Sequence, residues 1–140
     1  MNIRFFLDTN IFVYSLEGRA SVKARRATQL IRQAIATRNG IVSFQVVQEF
    51  FNVAFRRFVP PMTLAEAEQY LATVFRPLLA VHSSHALYGE ALYLRNRYRL
   101  SWYDALIVAG AVAGECGVLY SEDLHHGQKL GALQVENPFH

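Results

Sequence analysis

Apolar positions along the chain alternate between short blocks and longer stretches of helical period. Ile3 to Leu7 reads as a short buried strand ending at Asp8-Thr9-Asn10, and Ile11 to Leu16 as a short helix stopped by Gly18. Ser21 opens a longer helix, whose Ala27, Leu30, Ile31, Ala34 and Ile35 recur at helical spacing and which Asn39-Gly40 closes. A brief strand, Ile41-Val42, leads to Ser43, which caps a helix running to about Phe58 before Pro60-Pro61 breaks it. Thr63-Leu64-Ala65-Glu66 has the capping-box pattern and starts a helix with Leu64, Ala67, Leu71 and Val74 on one face. Pro77 to Val81 is a candidate strand, and a helix from Ser84 turns Leu87, Ala91, Leu94 and Tyr98 inward. Ser101 caps a further helix that is apolar on nearly every side from Ala105 to Ala113; it should be buried, with Gly110 and Gly114 allowing close packing. Gly117 to Tyr120 and Leu133 to Val135 read as strands. No repeat, low-complexity segment or linker intervenes. The expectation is one α/β domain over residues 1–140, a short, mostly parallel sheet flanked by helices as an α/β/α sandwich.

The acids change the picture from a fold to a chemistry. The aspartates are Asp8, Asp104 and Asp123. Asp8 follows the first strand, Asp123 lies just past a later one, and Asp104 falls in the first turn of the buried helix, where the helix dipole favours it. In open α/β sheets ligands bind outside the carboxyl ends of strands. Glu49, about two turns into the helix after Ile41-Val42, has Val46, Val47, Phe50 and Phe51 around it and so points to a partly buried place. Carboxylates crowded together raise one another's pKa, and a hard divalent cation relieves that cost. With no cysteine in the site and no need of histidine, an oxygen-only Mg2+ or Mn2+ site fits better than zinc. Each acid also has a plainer reading. Asp8 can serve as a turn residue, Asp104 as a cap, Glu49 as a helix-surface residue and Asp123 as a loop acid, with Glu122 able to take its place as ligand.

Composition narrows the setting. The hydrophobic fraction of 52% over 140 residues supports a core and excludes a disordered chain. No apolar run is long enough for a membrane span, and Asp8 interrupts the N-terminal run too early for a secretory leader. The single cysteine, Cys116, excludes an internal disulfide. The expected location is cytoplasmic. A net charge of +3 is compatible with a polyanionic partner. Only Lys23 and Lys129 of the 14 basic side chains are lysine, and the arginines cluster at 25–26, 56–57 and 95–99. Arginine suits bidentate phosphate contact, which makes Arg56, Arg57, Arg95 and Arg99 candidate phosphate contacts against the plainer reading of solvated helix faces. His125-His126 reads as a solvated loop pair, Cys116 as a small core residue, and Trp102 with Tyr103 as either base-stacking or helix-packing residues.

Four segments then stand out together: Phe6–Tyr14 (FLDTNIFVY), Ser43–Phe50 (SFQVVQEF), Ser101–Ala109 (SWYDALIVA) and Leu119–Gly127 (LYSEDLHHG). In this order, spread over nearly the whole chain, they resemble PIN domains, and specifically the small bacterial VapC toxins. The resemblance implies a sheet of four or five parallel strands between helices, a carboxylate site for Mg2+ or Mn2+, and endonucleolytic cleavage of RNA. Carried over, Asp8, Glu49, Asp104 and Asp123 match the acidic positions, as catalytic residues and metal ligands. Thr9, Asn10 and Ser121 match polar neighbours that orient ligands or waters. The implied mechanism is in-line attack on phosphorus by a metal-activated water, with one or two metals both open. It further implies a cognate antitoxin protein and a homodimer. Three rivals stand beside it. A haloacid-dehalogenase-like phosphatase would want an aspartate where Asn10 stands, and a receiver-type phospho-acceptor would want an aspartate between Glu17 and Asp104. The third rival is a catalytically silent PIN-like module that binds RNA or protein.

Overall fold

The computed structural model describes residues 3–17 and 21–140; Gly18, read above as a helix stop, lies outside them. Strand β1 (Phe5–Leu7) is buried along its whole length and leads into α1 (Thr9–Leu16) through Asp8, then α2 (Val22–Thr37) and β2 (Gly40–Ser43). Helix α3 (Phe44–Arg56) follows β2 directly. Next come α4 (Leu64–Tyr70), a π-helical turn (Leu71–Phe75), the one-turn α5 (Arg76–Leu78) and β3 (Leu79–Val81). The antiparallel pair α6 (His85–Tyr98) and α7 (Trp102–Ala113) precedes β4 (Val118–Tyr120), β5 (Lys129–Leu130) and β6 (Leu133–Glu136).

The strands form one 6-stranded sheet in the order β3-β2-β1-β4-β6-β5. All neighbours are parallel except the β5/β6 hairpin. The sheet is thus wider than the four or five strands expected, because β5 is a two-residue strand without a legible hydrophobic period. β1 is central, with Phe5, Phe6 and Leu7 opposite Val118, Leu119 and Tyr120 of β4 on one side and β2 on the other. The chain leaves β1 first toward β2 and later returns to its other side at β4. That reversal of winding opens a crevice at the carboxyl ends of β1 and β4. The core on the faces of the sheet includes Phe6, Phe12, Phe50 and Phe75, all with no exposed surface.

Most elements form where their sequence signals stand, and the departures have local causes. The α2 stop is Arg38 in the left-handed conformation (φ 61°) rather than Asn39-Gly40. Gly40 serves β2 instead: a Cβ there would lie 2.2 Å from the Ala34 Cβ, so only glycine lets α2 pack on the strand. Ser43 is the N-cap residue of α3 but makes no capping bond; its hydroxyl is buried without a partner under α7. The capping box of α4 is present, with Thr63 and Glu66 bonded reciprocally. Its expected inner face is not, since Leu64 and Leu71 are exposed while Ala67, Phe75 and Leu78 are buried. The π-helical turn, in which the Arg76 amide donates to the Leu71 carbonyl, rotates the chain past the 3.6-residue period. It also keeps Pro77 helical, so β3 begins only at Leu79. Among the described residues no helix is long and apolar enough to cross a membrane.

Candidate active site

The crevice at the switch point carries the acids. Asp8, only 5% exposed, is the N-cap of α1: one oxygen accepts from the Thr9 amide (2.7 Å) and the other from the Ser121 hydroxyl (2.8 Å), which comes across from the end of β4. Its own amide donates to the Tyr120 carbonyl (3.0 Å), extending the β1/β4 ladder by one step. Asp8 is therefore both the turn residue of the plainer reading and a buried carboxylate. Thr9 points its hydroxyl the other way, donating to Glu49 Oε1 (2.6 Å) on α3. Asn10 donates to both oxygens of Asp123 (3.3 Å each), and the Asp123 amide donates to the Ser121 hydroxyl (3.2 Å). Thr9, Asn10 and Ser121 thus each donate a side-chain hydrogen bond to one of the acids.

Asp104 reaches the same edge from α7. The Ser101 hydroxyl accepts from the Asp104 amide (3.2 Å). In α4 the acid at the equivalent place, Glu66, reaches back to the Thr63 amide (2.9 Å) and closes the capping box. Asp104 makes no such return bond among the described residues, so its carboxylate is not spent on the cap. Sequence reasoning missed Gln45, one turn before Glu49. Its side-chain nitrogen donates to Glu49 Oε2 (3.0 Å) and to the Tyr103 carbonyl (3.1 Å). Its i to i+4 spacing from Glu49 is the one available signal.

Mutual repulsion links the acids pair by pair, Asp8 with Asp123 and Glu49, and Asp123 with Asp104 and Glu49. Burial drives the Asp8 carboxyl up to about 7; its hydrogen bonds from Ser121 and Thr9 oppose this, and the charges of Asp123 and Glu49 add to it. Asp123 stands at the exposed rim, yet its pKa is also raised, by partial desolvation and then by Asp104, Glu122 and Glu49. All donors are oxygens. Among the described residues no three His, Cys, Asp or Glu side chains converge into a ready-made metal cage. The set fits a cation of the Mg2+ type, held by one or two carboxylates and completed by water and substrate phosphate. It does not fit a closed structural site.

The other candidates are dispersed. Glu122 turns away from the acids: it accepts from the Tyr14 hydroxyl and pairs with Lys23 (2.6 Å). Burial raises its pKa, but the bonds from Lys23 and Tyr14 outweigh that and leave it lowered. Arg56 and Arg57 lie at the far end of α3, two turns beyond Glu49, with Arg57 paired to Glu17 (3.6 Å) at the surface. Arg95 and Arg99 belong to the α6–α7 joint, where Arg99 is the left-handed cap just ahead of Ser101. His126 accepts from the Asn137 amide (2.9 Å) and stacks on His140, so it fastens the C-terminal residues. Trp102 stacks on Tyr88, while Tyr103 is 65% exposed. Cys116 is buried in the core, and burial pushes its thiol up to about 11.

The fold has solved counterparts. It is similar to a toxin–antitoxin complex from Klebsiella pneumoniae, with TM-score 0.67 and 20% identity over 95% of this chain and 96% of that one. A Mycobacterium tuberculosis VapC toxin that cleaves the sarcin-ricin loop gives TM-score 0.60 and 20% identity, over 85% and 89%. A VapBC complex from Rickettsia felis bound to a promoter DNA fragment gives 0.67 and 16%, over 96% and 98%. At these identities the likeness is one of fold. No curated protein matches the sequence. The model of the PIN domain family matches residues 5–129. With that match spanning most of the chain, and the β1/β4 crevice lined by acids, this protein belongs to the PIN domain family.

Proposed function

We propose that this chain is an Mg2+- or Mn2+-dependent endoribonuclease and the toxin half of a toxin–antitoxin pair. The observation that carries the reading is Asp8: a carboxylate buried at the switch point, both oxygens held, its pKa raised to about 7 beside other acids. A buried carboxylate with other acids beside it is costly to ionise without a cation. A divalent ion held by one or two of Asp8, Asp104 and Glu49 directly, and by the rest through water, would supply water activation and neutralise charge growing on the phosphodiester. The chain's own residues do the positioning. Ser121 and the Thr9 amide fix Asp8, and the Thr9 hydroxyl fixes Glu49. Asn10 steers Asp123, which in this reading accepts a proton from water or supports a second ion. Glu122 is left out of the ligand set, because Lys23 and Tyr14 engage it. Arg95 and Arg99, and with less proximity Arg56 and Arg57, would meet the RNA backbone.

The toxin role, a cognate antitoxin and a homodimer rest on the family and on the fold shared with toxin–antitoxin complexes. The test is incubation of the purified protein with a panel of structured RNAs in Mg2+ or Mn2+, with EDTA and Asp8→Asn controls. Cleavage that needs both cation and Asp8 is expected. That no three acids among the described residues group to hold an ion favours a second reading, a silent module that binds RNA or protein; RNA left intact with no cation bound would favour it over the nuclease. Expression should arrest growth, and co-expression of an adjacently encoded antitoxin should relieve the arrest.

A further inference from the structure

We infer that Gln45 is a positioning residue that sets Glu49 against the α7 N-terminus, an inference that rests on the cation site proposed above. Gln45 is 4% exposed and sits in the first turn of α3. Its amide nitrogen donates at once to Glu49 Oε2 (3.0 Å) and to the carbonyl of Tyr103 (3.1 Å), the residue just before Asp104. One side chain therefore ties the helix bearing Glu49 to the helix turn bearing Asp104. Both partners are acceptors only, so the amide has one workable orientation: turned over, its oxygen would face a carboxylate and a carbonyl.

The other end of the amide shows what this orientation costs. Gln45 Oε1 is buried with no hydrogen-bond partner. A side chain present only to fill space at this place would be better as a hydrocarbon of the same shape. Below it, α7 already rests on β2, where a Cβ on Gly110 would come 3.2 Å from the Ser43 Cβ. Gln45 adds the tie at the upper end, nearest the acids. With Thr9 donating to Oε1 of Glu49 and Gln45 to Oε2, the carboxylate is held from both sides.

The test reads Mn2+ binding by electron paramagnetic resonance, with no RNA present, in wild type, Gln45→Met, Gln45→Glu, Glu49→Gln and the double variant Gln45→Met/Glu49→Gln. Circular dichroism melts in EDTA confirm folding. Gln45→Met keeps the shape and loses both donors; Gln45→Glu also loses them and adds a charge facing Glu49. Both should weaken Mn2+ binding by roughly 10- to 100-fold while staying folded, as removal of supporting partners does at metal sites. In the Glu49→Gln background Gln45→Met should change little further, because its effect passes through Glu49. Wild-type affinity in folded Gln45→Met, or losses that multiply in the double variant, would remove this role and leave the cation site standing. A wild type that binds no Mn2+ would remove both.

Discussion

Asp8 brings one carboxyl group almost out of water, and its titration follows. Its folded pKa of about 7 lies above the ordinary value of 3.8. Between those values the folded state holds a proton that the unfolded chain has released, so in metal-free buffer this group lowers stability as pH rises from about 4 to about 7. Above that window the loss is complete. Asp8→Asn should therefore melt higher than wild type at pH 8 in EDTA and no higher at pH 4, which thermal melts across pH will check. Equal melting at both would mean the carboxyl is not desolvated. Thr9→Val keeps the shape of α1 but drops the bond to Glu49, and should lower cleavage about tenfold with little change in melting. The placement of Asp8, Asp104 and Asp123 was legible because they stand at strand ends and in the first turn of a helix; Glu49, inside α3, was marked only by its apolar neighbours. The choice between Glu122 and Asp123 was not legible, since neighbours on one loop share every local signal. Lys23 and Tyr14, far away in sequence, engage Glu122 and are what favours Asp123 in the proposed ligand set.

Helices with a regular period and a cap were readable in outline; the joints between elements were not. Nothing near Gly40 distinguishes a helix stop from a packing site, and only the approach of Ala34 does. The buried face of α4 departs from its pattern for a related reason, since a π-helical turn breaks the period on which any face assignment depends. The two-residue β5 has too few positions to show alternation. Gly40→Ala should destabilise by about 1–3 kcal/mol, because the new methyl meets Ala34, which has no flexible end to yield. Gly89, in α6, has open space where a methyl would stand, with nothing within 4 Å, and Gly89→Ala should stabilise by about 0.5–1 kcal/mol. Urea denaturation of both variants checks the pair, and a neutral Gly40→Ala would mean α2 can lift from β2 freely.

At the scale of the molecule, a chain of net charge +3 brings Asp8, Glu49, Asp104 and Asp123 to one edge of the sheet, while Arg56, Arg57, Arg95 and Arg99 stand at the C-terminal ends of α3 and α6. On the proposed function, those arginines would draw in a polyanion that the acids would repel without a cation. Replacing Arg95 and Arg99 together by alanine should weaken RNA binding and flatten its dependence on salt by about one to two charges, read from log Kd against log salt. An unchanged slope would place the backbone contacts elsewhere. The doubly wound sheet was legible from the alternation of strands and helices, and the switch point beside β1 then places Asp8 and Ser121 side by side. The measurement that bears most directly on the whole account is single-turnover cleavage of a responsive RNA by wild type and Asp8→Asn at saturating Mn2+. The account predicts a loss of at least about 100-fold in the variant, with melting in EDTA undiminished. Cleavage by Asp8→Asn at the wild-type rate would contradict it.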